Sequence, residues 1–104
     1  MNLSNPKPAP KTALVTGASR RIGAAIARDL AQNGTQVIVH YSSSDEAAAG
    51  VVALIKAEGG EAVSIGADLM MENECKILFE KAAAALGPID LIVNNASILS
   101  LIHI

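Results

Sequence analysis

At 104 residues the chain has the length of one modest domain or part of one, which excludes a second domain of ordinary size. Lys and Arg number 8 against 10 Asp and Glu, and a formal charge of -2 gives no long-range field for gathering nucleic acid or an anionic membrane. Hydrophobic residues at 51% and charged residues at 17% are too apolar a mix for a disordered chain, and aromatics at 2% leave only Tyr41 and Phe79 for base stacking.

Residues 1–11 hold Pro6, Pro8 and Pro10 and read as a short disordered lead, because each proline removes a backbone donor and fixes φ. No apolar core of a signal peptide or anchor stands there. Thr12-Ala13-Leu14-Val15-Thr16, closed by Gly17, suits a strand buried on both faces. From Ile22 onward, Ala25, Ile26 and Leu30 recur at helical spacing, and Gly34 supplies the stop. Val37-Ile38-Val39-His40 predicts a second buried strand. Ser42-Ser43-Ser44-Asp45-Glu46 opens a second helix, with Ser43 and Glu46 spaced as a capping box and Gly59-Gly60 as its end. A third strand near Glu61 to Ile65 leads through Gly66-Ala67-Asp68-Leu69 into a helix from about Met71 to Leu86, stopped by Gly87-Pro88. Asp90 to Val93 makes a fourth strand. Short apolar strands alternating with longer helices imply βαβ units, and so an α/β, doubly wound parallel sheet covered on both faces.

Cys75 is the one cysteine, so no internal disulfide forms, and with only His40 and His103 beside it no metal-ligand spacing exists. A reducing, cytoplasmic setting is the simple reading. No run of about 18 apolar residues marks a membrane span. Cys75, on a helix, reads as a small buried hydrophobe rather than a reactive thiol.

The residues with chemistry stand between the first strand and the first helix: Thr16-Gly17-Ala18-Ser19-Arg20-Arg21-Ile22-Gly23. Glycine lets backbone N–H groups approach a diphosphate, and the helix N-terminus adds partial positive charge. The spacing is not G-x-G-x-x-G. Nor is it a P-loop, since no Lys-Ser or Lys-Thr follows Gly23, which removes kinase and ATPase readings. An ordinary glycine turn explains Gly17 and Gly23 alone.

The octet resembles the TGxxxGxG cofactor loop of the short-chain dehydrogenase/reductase family. Ala67-Asp68-Leu69 is similar to that family's adenine-contacting element, and Asn94-Asn95-Ala96-Ser97 to its NNAG element, all in the family's order. The resemblance covers roughly residues 11–97 and implies a Rossmann sheet of order 3-2-1-4. It also implies that Gly17, Ser19, Arg20, Ile22 and Gly23 line the pyrophosphate and adenosine side, Asp68 and Leu69 the adenine, and Asn94 and Ala96 the adenosine ribose region and strand end. Arg21 stands at the pattern's middle glycine and Ser97 at the last glycine of NNAG. A basic residue in this loop is similar to pteridine-reductase-like members, whose His-Tyr-x-x-Ser stretch is also similar to His40-Tyr41-Ser42-Ser43-Ser44. By that likeness Arg21, His40, Tyr41, Ser42 and Ser43 join the cofactor-binding set, although His40 taken alone reads as a strand-end residue.

Cofactor choice follows from charge. NAD recognition places an acid at the end of the second strand, to hold the ribose hydroxyls. Here no acid precedes Asp45, whereas Arg20, serine hydroxyls and a helix N-terminus suit a 2′-phosphate, so NADP(H) is expected. The serines also read simply as helix caps.

The family's reaction moves a hydride between nicotinamide and a carbonyl or alcohol carbon, with Tyr and Lys in Y-x-x-x-K acting on the proton. The one tyrosine, Tyr41, is followed four residues later by Asp45, so no catalytic residue is assigned, and no metal site. Residues 12–97 are therefore read as the NADP(H)-binding half-domain of a longer oxidoreductase, with 98–104 an apolar tail at a truncation. The resemblance implies a small-molecule substrate and a homo-oligomer for the full-length enzyme. A non-catalytic NADP(H)-binding module and a non-functional truncated product stay open beside it.

Overall fold

Every residue from Thr12 to Val15 is buried, the pattern of a strand covered on both faces, and this segment forms one of the two inner strands of the sheet. The computed structural model describes residues 10–95. Its elements are β1 (Thr12–Val15), α1 (Arg21–Gln32), β2 (Gln36–Tyr41), α2 (Asp45–Ala57), β3 (Ala62–Gly66), α3 (Glu72–Leu86) and β4 (Leu91–Val93). The strands are all parallel in the order β3-β2-β1-β4, as the βαβ reading and the family resemblance require. Residues 1–9, most of the expected disordered lead, and residues 96–104, with Ala96 and the apolar tail, lie outside the described residues.

Alternation along the strands sorts the core into two layers. Val15, Val37, Val39 and Ala62 face α1 and α2, where they meet Ala27, Ala31, Ala48, Val51 and Ile55. Leu14 and Ile38 face the other way and meet Ala67, Leu78 and Ala82. Alanine on the helices lets them lie close to the sheet, while the branched residues of the strands supply the volume. Burying a Leu or Ile side chain in such a layer contributes roughly 1.5–3 kcal/mol.

The element ends follow local chemistry. Gly34, Gly59 and Gly87 stand at the stops of α1, α2 and α3. Asp45 and Glu46 occupy the first turn of α2 and Lys56 its last, each sign matched to the helix dipole. The Ser43–Glu46 capping box is corrected: α2 starts one residue later than that box needs, with Ser44 at the N-cap and no side-chain capping bond. The Ser44 hydroxyl instead accepts a hydrogen bond from Arg20.

Asp90 fastens the start of the sheet. Its N–H donates to the Thr12 carbonyl (2.8 Å), and its Oδ2 accepts from the N–H groups of Lys11 (2.9 Å) and Thr12 (3.2 Å). Among the described residues, no helix is long and apolar enough to cross a membrane.

Candidate functional site: the strand C-terminal ends

In a parallel sheet the C-terminal strand ends and the N-termini of the following helices meet at one edge, which is where an open α/β sheet receives ligands. Four segments converge there. The turn after β1 carries Gly17, Ser19 and Arg20 into Arg21, Ile22 and Gly23 of α1. The turn after β2 carries Ser42 and Ser43 beyond Tyr41, the turn after β3 carries Asp68 and Leu69, and Asn94 and Asn95 follow β4. Every sequence-derived site residue within the described range thus lies at this edge, and Ala96 alone falls outside it.

The glycine turn is held from three sides. The Thr16 N–H donates to the Val93 carbonyl at 3.0 Å, and its hydroxyl lies 3.3 Å from the same oxygen and 3.4 Å from Asn94 Oδ1. The Ala18 N–H donates to the His40 carbonyl at 2.8 Å. Asn95 Nδ2 donates to the Gly17 carbonyl at 3.2 Å. Gly17 takes φ 62, a left-handed value at which a side chain is strained. Gly23 is required for a different reason: a Cβ built there falls 2.3 Å from the Gly17 carbonyl oxygen. Arg21, in the pattern's middle glycine place, has φ 46 and is the one non-glycine residue with positive φ among those described.

α1 begins without a side-chain cap, so its first-turn N–H groups remain available at the mouth of the turn. Arg20 and Arg21 are exposed beside them, and Ile22 is 69% exposed. Arg20 Nη2 donates to Ser44 Oγ at 3.0 Å, joining the glycine turn to the start of α2, where Ser42 and Ser43 are exposed.

His40 is only 1% exposed and both of its nitrogens are engaged. Nδ1 accepts from the Gly17 N–H at 3.0 Å, and Nε2 lies 2.9 Å from the Ala67 carbonyl oxygen. Those partners select the neutral ring with its proton on Nε2. Burial lowers its pKa below the ordinary 6.5, opposed in part by the Ala67 hydrogen bond. His40 therefore offers no free nitrogen to a ligand and acts on the site through the loops it holds. The Ala67 N–H donates to the Tyr41 carbonyl at 3.1 Å, and the Tyr41 ring covers Gly66 so closely that a Cβ there would fall 2.7 Å from it.

Asp68 is exposed. Its Oδ1 accepts from the Met70 N–H at 3.0 Å, and its own N–H donates to Glu74 Oε1 at 2.7 Å, which fastens the loop to the first turn of α3. A cavity of about 600 Å³ opens at this edge, walled by Thr16, Gly17, Asp68, Leu69 and Asn94 toward the loops and by Leu14, Leu78, Phe79 and Ile92 toward the sheet and α3. Ile92 is 50% exposed because α3 packs over β2 and β3 and leaves β4 uncovered. Among the described residues no cluster of three or more His, Cys, Asp or Glu is placed to hold a metal ion.

Sequence reasoning missed the roles of Ser44, Asn95 and Ala67. Ser44 was visible as part of a serine run, and Asn95 as half of an Asn pair. The Ala67 contribution is a carbonyl oxygen, for which a sequence carries no signal.

Comparison with known proteins agrees with this fold. The family model for short chain dehydrogenase matches residues 11–103. Elsinochrome reductase 1 of Elsinoe fawcettii is 44% identical over 94 residues, covering 90% of this chain and 35% of that protein. The crystal structure of a dehydrogenase/reductase from Sinorhizobium meliloti 1021 superposes with a TM-score of 0.81 at 44% identity, covering 83% of this chain and 34% of that one. FolM alternative dihydrofolate reductase 1 from Brucella canis, in complex with NADP, gives a TM-score of 0.77 at 40% identity, covering 86% and 35%. The chain thus spans about a third of the length of the relatives it matches.

Proposed function

The chain belongs to the short-chain dehydrogenase/reductase family, and on that premise we propose that it supplies the NADP(H)-binding part of an oxidoreductase that moves a hydride between nicotinamide and a carbonyl or alcohol carbon. The bond from Arg20 to Ser44 carries the choice of NADP(H). It sets a guanidinium and a hydroxyl at the end of β2, beside the exposed Ser42 and Ser43, where an NAD-selective site presents a carboxylate. A 2′-phosphate is held there by charge-assisted hydrogen bonds. NADP in the Brucella canis protein, a relative at 40% identity, supports the same reading.

The remaining residues divide the nucleotide between them. The first-turn N–H groups of α1 and the backbone of Gly17 to Gly23 meet the diphosphate, with Arg21 adding charge. Asp68 and Leu69 border the adenine, and Asn94 and Ala96 the ribose and strand end. The bound cofactor supplies the hydride chemistry; this segment binds and orients it. The proton-transfer residues belong outside it, since Tyr41 lies at the cofactor end of β2 and has Asp45, not Lys, four residues on. Residues 12–97 are the half-domain in this proposal, in a soluble, cytoplasmic and oligomeric enzyme acting on a small molecule.

The test is titration of the protein with NADPH and NADH. NADPH binds more tightly, and Arg20→Glu or Ser43→Asp removes the preference by weakening NADPH about tenfold or more, the scale of a lost charged hydrogen bond. A preference unchanged in both variants overturns the assignment.

A further inference from the structure

We infer that His40 is a positioning residue for the nucleotide site: its buried ring ties the glycine turn after β1 to the Asp68 loop after β3. The inference rests on the reading of those two loops as a nucleotide cradle. The Gly17 N–H donates to Nδ1 at 3.0 Å, and Nε2–H donates to the Ala67 carbonyl at 2.9 Å, so one imidazole spans the gap between the two segments. Each segment is also fastened to β2 by backbone, Ala18 to the His40 carbonyl and Ala67 to the Tyr41 carbonyl. The ring thus closes a hydrogen-bonded circuit on both sides of the strand end. Gly17, Asp68 and His40 itself line the cavity, so the bridge between the two loops forms part of its wall.

The bridge works in one protonation state. A second proton, on Nδ1, would point at the Gly17 N–H, donor against donor. Among the described residues, nothing facing the ring offsets that. From the glycine turn it meets backbone, with Arg20 directed to Ser44. From the β3 side it meets the Ala67 carbonyl, while the neighbouring Asp68 carboxylate is turned to the Met70 N–H. On α3, Glu74 is bonded to the Asp68 N–H, and Cys75, which lines the same cavity, to the Leu69 carbonyl. Beyond β1 stands the neutral Asn94, and α1 and α2 pack on the other face of the sheet. Among the described residues no carboxylate is bonded to the ring, and burial favours its neutral form. Acid that charges it breaks the Gly17 bond and releases the glycine turn.

The experiment uses three substitutions and two kinds of readout. His40→Phe fills the space and makes neither bond. His40→Asn keeps an acceptor near the Nδ1 position, and His40→Gln keeps a donor near the Nε2 position. Amide exchange is followed at Gly17 and Ala67, and NADPH affinity is measured from neutral pH down through and below the range in which an ordinary histidine titrates, since burial lowers the pKa of this ring. The expected result is loss of Gly17 protection in the Phe variant, its partial return in the Asn variant, and NADPH affinity at least about tenfold weaker in the Phe variant. Wild-type affinity falls more steeply on the acid side than that of the Phe variant, in which only the cofactor's 2′-phosphate titrates.

NADPH affinity of the Phe variant within about twofold of wild type, with the same pH profile and an unchanged Gly17 amide, overturns the inference. If the Phe variant does not fold, the ring nitrogens of the wild-type protein decide by ¹⁵N spectroscopy: a neutral Nε2–H ring at pH 7 supports the bridge, and an Nδ1–H or charged ring overturns it. If wild type binds no NADPH, the cofactor reading fails by itself, while ring tautomer and Gly17 exchange still decide whether His40 ties the loops.

Discussion

Asn95 Nδ2 donates to the Gly17 carbonyl at 3.2 Å, across 78 positions of sequence, and Gly23 sits beneath both groups. A Cβ on Gly23 would fall 2.3 Å from that carbonyl oxygen, 2.9 Å from the Ala18 Cα and 2.9 Å from Asn95 Nδ2. The segment after β4, the turn after β1 and the first turn of α1 therefore meet at one point with no room for a methyl group.

Gly23→Ala tests that point. Two of its three contacts are backbone, which cannot rotate away, so the variant is destabilised by about 1–3 kcal/mol, the usual range for overpacking. NADPH affinity falls with it, because relief requires the Gly17 turn to move. A urea midpoint and an NADPH titration measure the two effects. Wild-type values in both would mean that the turn yields freely.

Arg21 separates backbone strain from charge. At φ 46 a side chain costs roughly 1–2 kcal/mol, and glycine escapes that cost while regaining freedom in the unfolded chain. Arg21→Gly and Arg21→Ala both delete the guanidinium, so their difference reports the backbone alone. The Gly variant is expected to be more stable than the Ala variant by about 1 kcal/mol in denaturant unfolding. Equal stability would count against a strained residue here.

Acid destabilises the protein in two separate windows. His40 has its pKa lowered in the folded state by burial, so below the ordinary 6.5 the unfolded chain takes up a proton that the folded chain resists. Stability is whole above 6.5 and falls as pH drops from there toward the folded value. Glu58, held below its ordinary 4.5 chiefly by the hydrogen bond from Arg28, loses its contribution only as pH falls below 4.5. Denaturation midpoints followed from neutral pH downward show the first loss in wild type and not in His40→Asn, while Glu58→Gln alters only the second.

Asp90 fastens β1 through one oxygen. Because its Oδ2 accepts from both Lys11 and Thr12, Asp90→Ala strands two donors at the head of that strand and costs about 1–2 kcal/mol. Asp90→Asn keeps a carbonyl oxygen for both and costs less than about half of that. Unfolding curves of the pair give the comparison, and an equal loss in both would show that charge, not the shared oxygen, matters.

The order of elements was legible in the chain because each is written locally. Val37-Ile38-Val39 has the apolar run of a strand buried on both faces, and glycines follow each helix where its apolar spacing ends. The glycine octet and its position before a helix were enough to place the candidate site at the sheet edge. The Ser43–Glu46 box failed because α2 starts one residue later, at Asp45, with Ser44 at its N-cap, and the Ser44 hydroxyl meets Arg20, 24 residues away, which no local pattern signals. His40 shows the same limit: taken alone it reads as a strand-end residue, and nothing local in the sequence tells that its ring bonds Gly17 and Ala67.

By itself, then, the sequence determined which segments are strands and helices and that a glycine turn opens the first helix, since hydrophobic period and backbone freedom are properties of neighbouring residues. Only the tertiary structure decided which hydroxyl meets Arg20, which carbonyl meets Asn95 and what occupies the two nitrogens of His40. Those partners lie 23 to 78 positions apart, and the sheet brings them together only after its four strands have paired in parallel.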